Sequence, residues 1–309
     1  MRTALALAAA MIAGLVVSPT ATAAVPSTDT AELAYHWAPV HYQDTDDSNA
    51  SADYLSPIDF DGNWTGRDNW ENQAKQKQNL RGAAYYSVTE NADFYYLLYG
   101  FFHPRDWSDW NPLEEHENDM EGVLVVVQKG GEWGTLRAMV TVAHRDFYSY
   151  TPSGSPFTSG QENIDGTLLT TTHDGVARPS TFQEAKGHGL YRWDGKDFPG
   201  GDGVVYYPTR GAGEVPSGGN DRRVGYQLID IFAEGGLWAH RDAPATFHSW
   251  GTFSGDNGAD NAANAPWGWD DHNDKPGRGE LATDPARVIR DYFANAGAQS
   301  STYVRNQYR

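Results

Sequence analysis

His116, Asp119 and Glu121 fall within six residues of one another, directly ahead of the apolar run Gly122-Val123-Leu124-Val125-Val126-Val127. One imidazole and two carboxylates make a ligand set for a hard or borderline divalent cation. Oxygen donors suit magnesium or calcium and also manganese, and the nitrogen brings zinc within range. In an extended chain residues two apart point the same way, so Asp119 and Glu121 share a face. His116 is expected in the turn feeding that strand, folded back toward the space between the two acids. Asp106, ten residues before His116, closes another apolar run, and a loop of that length can return it as a fourth ligand; Asp109 competes for the role. The opposing reading is a solvated polar turn, with the acids capping their own loops.

Two further histidines stand where they can serve such a cluster. His144 ends the run 135–143, which is expected to pair with the motif strand, and would act as a supporting group or general base. His188 lies in Lys186-Gly187-His188-Gly189, where glycines let the backbone approach a ligand closely, or simply form a tight turn. The acidic tracts around Asp44, Asp59 and Asp270 lack the spacing of a twelve-residue calcium loop, and Asx turns account for them. Trp107, Trp110, Trp267 and Trp269 fall in loops, either as platforms for a sugar ring or lipid head group or as packing over one end of the fold. Ser153-Gly154-Ser155 lies in a flexible tract without the context of a nucleophile elbow, and no phosphate-loop or dinucleotide motif is present.

The elements that must position these residues read as strands. Runs at 94–102, 122–128, 135–143, 203–207 and 226–232 are rich in β-branched and aromatic residues and are bounded by Gly, Pro, Asn or Asp. Lys129-Gly130-Gly131-Glu132 is a hairpin signal between the second and third. Tyr85, Tyr86, Tyr95, Tyr96 and Tyr99 suit a core with cross-strand aromatic pairs. Helical patterning is confined to 69–80 and to a segment opened by Asp284 and Pro285. The expectation is an all-β protein, a β-sandwich with long loops and one or two short peripheral helices, in a single domain over residues 24–309.

Residues 1–23 read as a secretory signal, with Arg2, an apolar segment and a terminal Ala21-Thr22-Ala23. The mature protein is therefore expected outside the cell, as a monomer. The full chain's formal charge of −18 argues against nucleic acid as a partner, which needs a basic footprint. No cysteine is present, which removes thiol, iron–sulfur and zinc-finger chemistry.

A strand end followed by Pro104-Arg105-Asp106, a short loop, then H-x-x-D-x-E at His116, Asp119 and Glu121 and a β-branched strand resembles the necrosis- and ethylene-inducing peptide-like proteins, whose heptapeptide is G-H-R-H-D-W-E. It is similar also to a vacuolar-sorting-type group with the same motif, through Trp37-Ala38-Pro39-Val40, Ala185-Lys186-Gly187-His188 and Ala265-Pro266-Trp267-Gly268-Trp269. The resemblance implies a secreted β-sandwich in which Asp106, His116, Asp119 and Glu121 hold a divalent cation. It also implies a glycan or lipid head group as ligand, with peripheral membrane contact. Glu115, Glu117, Asn118 and Met120 depart from the family's motif. The alternative expectation is a secreted metal-dependent hydrolase of a phosphoester or glycolipid, with His144 or His188 moving the proton; a third is a purely structural ion.

Overall fold

The computed structural model describes residues 29–111, 115–275 and 277–309; the leader expected over residues 1–23 lies outside the described residues. Strands dominate. In chain order they are β1 Val40–Asp44, β2 Ala83–Glu90, β3 Phe94–Asp106, β4 His116–Gln128, β5 Thr135–Ala143, β6 Asp146–Thr151, β7 Thr158–Ser159, β8 Ile164–Thr167, β9 Thr170–His173, β10 Val176–Gln183, β11 Leu190–Arg192, β12 Gly203–Thr209 and β13 Val224–Asp230. Short helices flank them: α1 Thr30–Trp37, α2 Asn69–Lys75, α3 Glu280–Thr283 and α4 Pro285–Tyr292. The all-β expectation holds, and α2 and α4 are the two helices that the patterning marks. No helix among the described residues is long and apolar enough to cross a membrane.

Twelve strands form one mixed sheet in the order β11-β10-β1-β12-β13-β2-β3-β4-β5-β6-β8, with β9 paired to β10. The sheet curls until β11 comes back against β5, so its two halves face each other as the walls of a sandwich. β3 and β4 are covered on both sides, which is why they read as almost continuous apolar runs. Leu97, Tyr99, Val123 and Val125 face the inside of the curl, where they meet Val204, Tyr206 and Tyr226 and the α1 residues Leu33 and Trp37. Tyr96, Leu98, Leu124 and Val126 face a second core closed by Trp267, Trp269 and the α4 residues Val288, Ile289 and Tyr292. Trp267 and Trp269 thus pack rather than present themselves to a ligand.

One local expectation is corrected. His116 is not in a feeding turn, and Asp106 needs no returning loop. β3 and β4 run four to six residues beyond their apolar parts, and Asp106 and His116 are direct cross-strand partners at the end of that ladder. Pairing continues there as the polar side chains enter a buried crease.

Close packing of the sheet is most demanding at Gly122, opposite Gly100 in the same ladder. A Cβ at position 122 would lie 2.3 Å from Cη2 of Trp269 and 2.3 Å from the Tyr99 carbonyl oxygen. Gly122→Ala is therefore expected to destabilise the fold by about 1–3 kcal/mol, as overpacked cores do. Gly218→Ala, where a Cβ meets nothing within 4 Å, should stay within about 0.5 kcal/mol. Denaturant midpoints of the two variants check this, and equal midpoints would refute it.

Candidate metal centre

Strand alternation alone would put His116, three residues from Asp119, on the opposite face. Asn118 interrupts it with a left-handed backbone, φ 61°. Asn is among the few residues with a side chain that visit this region readily. Its side chain is anchored on three sides. Nδ2 donates to the carbonyls of Gly66 (2.8 Å) and Ser254 (3.0 Å), and Oδ1 accepts from Nδ2 of Asn69 (2.6 Å). The turn sends Glu117 away toward α2 and the 250s loop, where it accepts from the amides of Trp70 and Asp256. His116 is thereby brought to Asp106, Nε2 to Oδ2 at 3.4 Å.

The carbonyl of Asn118 lies 2.8 Å from Nδ1 of His116. A carbonyl only accepts, so Nδ1 carries a proton, and Nε2 is the nitrogen turned to Asp106. This is the arrangement by which a backbone carbonyl orients a ligating imidazole.

Asp119 and Glu121 are 6% and 4% exposed. Asp119 Oδ2 sits 3.1 Å from Nδ1 of His188, whose Nε2 is 3.3 Å from Oδ1 of Asp53. Burial pulls the His188 imidazole down, but its bonds to Asp119 and Asp53 outweigh this and push it up to about 9. His188 is fully buried and stacks flat on His103 at 3.8 Å; burial and the His188 charge hold His103 well below the usual range, hence neutral. Asp53 also accepts from the Trp107 indole (2.9 Å) and from the amides of Lys186 (2.9 Å) and Asp46 (3.0 Å). Nothing in its local sequence marks Asp53 for this position, since its partners come from distant segments.

Glu121 accepts from the His144 amide through Oε1, and the Leu190 amide also lies toward its carboxyl, although the buried Oε2 completes no hydrogen bond of normal geometry. Burial first, then the charge of Asp119, raises its carboxyl well above the usual range; the same two causes, in that order, bring Asp106 to about 7. His144 is half-exposed, and its hydrogen bond to Glu184 raises its imidazole. Asp109 is engaged elsewhere: with Asp46 it holds Nζ of Lys186, at 2.6 and 2.9 Å. The crease opens into a cavity of about 490 Å³ lined by Asp106, Trp107, Ser108, His116, His144, Lys186 and Gly187. Trp107 is buried there, whereas Trp110 is 92% exposed on the same loop.

Among the described residues, no three His, Asp or Glu side chains are grouped so that they could hold a metal ion. Asp119 is turned onto His188 and Glu121 onto the His144 amide, as mutually repelling carboxylates would be. Of the seven non-glycine residues with positive φ among those described, four, Asn118, His144, Lys186 and His188, border this crease. Backbone strain concentrates where geometry is functional.

Two outcomes follow. Asn118→Gly keeps the backbone region but loses the three side-chain bonds, whereas Asn118→Ala loses the bonds and adds left-handed strain. The alanine variant should therefore be the less stable by about 1 kcal/mol in a denaturant titration; equal stability would refute the strain argument. Chelator-treated protein should lose stability as pH rises. Asp106 (about 7) and Glu121 bind protons more tightly folded than unfolded, so their contribution is full below about pH 4 and is lost toward pH 7 and above; His188 adds a loss between about 6.5 and 9. Melting temperatures at pH 5, 7 and 9 test the sign.

No protein-family model and no curated protein sequence matches the chain. Solved structures do resemble it. One described as "Toxin fold for microbial attack and plant defense" is 17% identical over 71% of this chain and 81% of that one, with a TM-score of 0.40. "NLPPya in complex with mannosamine" is 15% identical over 87% and 94%, at 0.41. Necrosis and Ethylene inducing Protein 2, from the causal agent of cocoa's Witches Broom disease, is 16% identical over 64% and 73%, at 0.34. At these scores the likeness assigns no residue a role, and the ligand set rests on the geometry of the crease. The chain is similar in structure to these necrosis- and ethylene-inducing proteins.

Proposed function

We propose that this is an exported protein that holds a divalent cation with Asp106, His116, Asp119 and Glu121 and uses it to bind a glycan or lipid head group. The observation that carries the reading is the crease itself. Asp106 and His116 pair at its mouth, and burial together with the nearby charge of Asp119 raises the carboxyls of Asp106 and Glu121 behind them. The donors fit such an ion: three oxygen ligands suit magnesium, calcium or manganese, the imidazole admits zinc, and Oε2 of Glu121, which completes no normal hydrogen bond, is a lone pair in need of an acid. When bound, the cation would offer a Lewis-acidic point to hydroxyl or phosphate oxygens, in a molecule whose net charge of −18 otherwise repels anions. Asp53 and His188 would orient Asp119, and the Asn118 carbonyl would orient His116. The exposed indole of Trp110, two residues from Ser108 at the cavity, gives a head group or a membrane surface an apolar contact.

The hydrolase reading rests on His144, since His188 is shut between Asp53 and Asp119 and has no path to a substrate. His144 is tied to Glu184 and lies at the cavity edge, so it orders the rim in a binding site as readily as it would move a proton.

Elemental analysis of the mature protein after dialysis against magnesium, calcium, manganese or zinc is the direct test. One ion per chain is expected, with a rise in melting temperature that chelator reverses. Asp119→Ala should weaken binding by more than the roughly 10–100-fold that loss of a supporting hydrogen bond costs. Co-sedimentation with glycosphingolipid vesicles should require the ion. Unchanged metal content in Asp119→Ala would sink the ligand assignment, and release of head group from the vesicles would favour the hydrolase.

A further inference from the structure

The curled sheet does not close. Where β6 and β8 at one end face β11 at the other, a second cleft remains, of about 610 Å³, between strand ends that have no hydrogen-bonded partner across it. Its surface differs in kind from the crease. Tyr148, Tyr191 and Trp193 are half-buried rings on its walls, whereas Tyr150, beside them on β6, is only 3% exposed. Rings serving only to seal the seam would be buried as Tyr150 is. These three are instead held in place with part of their surface open.

The holding is specific. Tyr148 and Tyr191 meet at 5.1 Å and 58°, so their planes form an angled wall. Trp193 is backed by Tyr42, which lies outside the cleft and stacks flat on it at 4.2 Å, and is flanked by Phe198 at 5.3 Å. A fixed, partly open aromatic surface suits a ligand with a flat apolar face and a polar rim. The polar groups complete the match. Arg192 crosses β8 at Gly166, where a Cβ would come within 2.6 Å of its Nε, and Asp165 stands on the same strand with Oδ2 bound to the Ser149 amide at 2.7 Å. Lys196 is paired with Asp194 at 2.7 Å. Two cations and at least as many carboxylates line the cleft, so it selects neither an anion nor a cation. A guanidinium and carboxylates on the walls of one cleft, beside aromatic planes, instead match adjacent hydroxyls on a ring whose C–H face is apolar.

We propose that this seam cleft is a binding site for an uncharged oligosaccharide, separate from the crease and independent of any cation. Its volume falls within the roughly 300–1,000 Å³ of small-molecule sites, enough for a few linked rings. Tyr191 joins the two regions: a Cβ built at Gly189 would touch its hydroxyl at 3.2 Å, Glu184 at 2.8 Å and His144 at 3.1 Å. A saccharide chain lying in the seam would therefore point one end at the crease.

The test uses full mature protein in chelator, titrated with cellotetraose, chitotetraose and mannotetraose while the tryptophan indole N–H resonances are followed by NMR. At least one of the three should shift the Trp193 indole saturably. Tyr148→Ala and Arg192→Gln should each weaken that binding tenfold or more without loss of fold, and Asp119→Ala should leave it unchanged. Trp193 is not the variant of choice, because Tyr42 and Phe198 pack on it. The proposal is overturned if none of the three tetrasaccharides shifts Trp193, if affinity survives Tyr148→Ala in folded protein, or if binding appears only with a divalent cation and vanishes in Asp119→Ala. That last result would place the saccharide at the crease.

Discussion

The antiparallel ladder between β3 and β4 is the constraint on which the rest of the structure depends. Both strands are buried on both faces, so their register cannot slip by one residue without exchanging Tyr96 and Leu98 for Leu97 and Tyr99 between two differently shaped cores. The register is uniform from Phe94 opposite Gln128 to Asp106 opposite His116. Once it is set, His103 must face Asp119 and Asp106 must face His116, and the crease exists before any side chain has chosen a rotamer. Asn118 then adds one turn of direction. A side-chain-bearing residue in the left-handed region costs about 1–3 kcal/mol. Three side-chain hydrogen bonds at about 0.5–1.5 kcal/mol each are enough to offset it.

Electrostatics follows from that geometry. Asp53, Asp106 and Asp119 gather around a single buried imidazolium, His188, and Glu121 lies behind Asp119. Asp53 is settled by N–H donors from Trp107, Lys186 and Asp46, and Asp119 by His188. Asp106 and Glu121 keep an unmet demand, and it appears as carboxyls that hold their protons far above the ordinary range. Proton and divalent cation are alternative answers to one deficit of charge. His103, stacked on His188, cannot contribute, because a second imidazolium at 3.8 Å would cost more than it returned.

Much of this was legible in the chain. Asp119 and Glu121 announce a shared face by spacing alone, and the runs of β4 and β5 with their glycine hairpin announce the pairing that brings in His144. The ends of β3 and β4 were not legible, because pattern reading stops a strand where apolar residues stop, and Pro104-Arg105-Asp106 and His116-Glu117-Asn118 are polar. Nor was α1: its apolar face is short, and it docks through the fully buried Arg178, whose guanidinium donates to the carbonyls of Tyr35 and His36 at the helix end. Asp53 meets Trp107 and His188 from more than fifty residues away, and the seam cleft brings β6 and β8 to β11, meetings that only the topology decides. The loop tryptophans divide by the same logic: Trp107, Trp267 and Trp269 are absorbed by packing, and Trp110 is left out.

The acidity of the chain narrows how it can recognise anything. Lys186, the cation lining the crease cavity, is already shared by Asp46 and Asp109, so an anionic ligand would find no free positive side chain there. Attraction must come from an ion lodged among Asp106, His116, Asp119 and Glu121, or from aromatic surface that is indifferent to charge. On the readings proposed above, the end of the β3–β4 ladder would supply the first and the seam the second, with Tyr191 between them. A ligand with both an oxygen-rich head and an uncharged ring system would satisfy the two surfaces at once, and neither surface requires the basic patch that this sequence lacks.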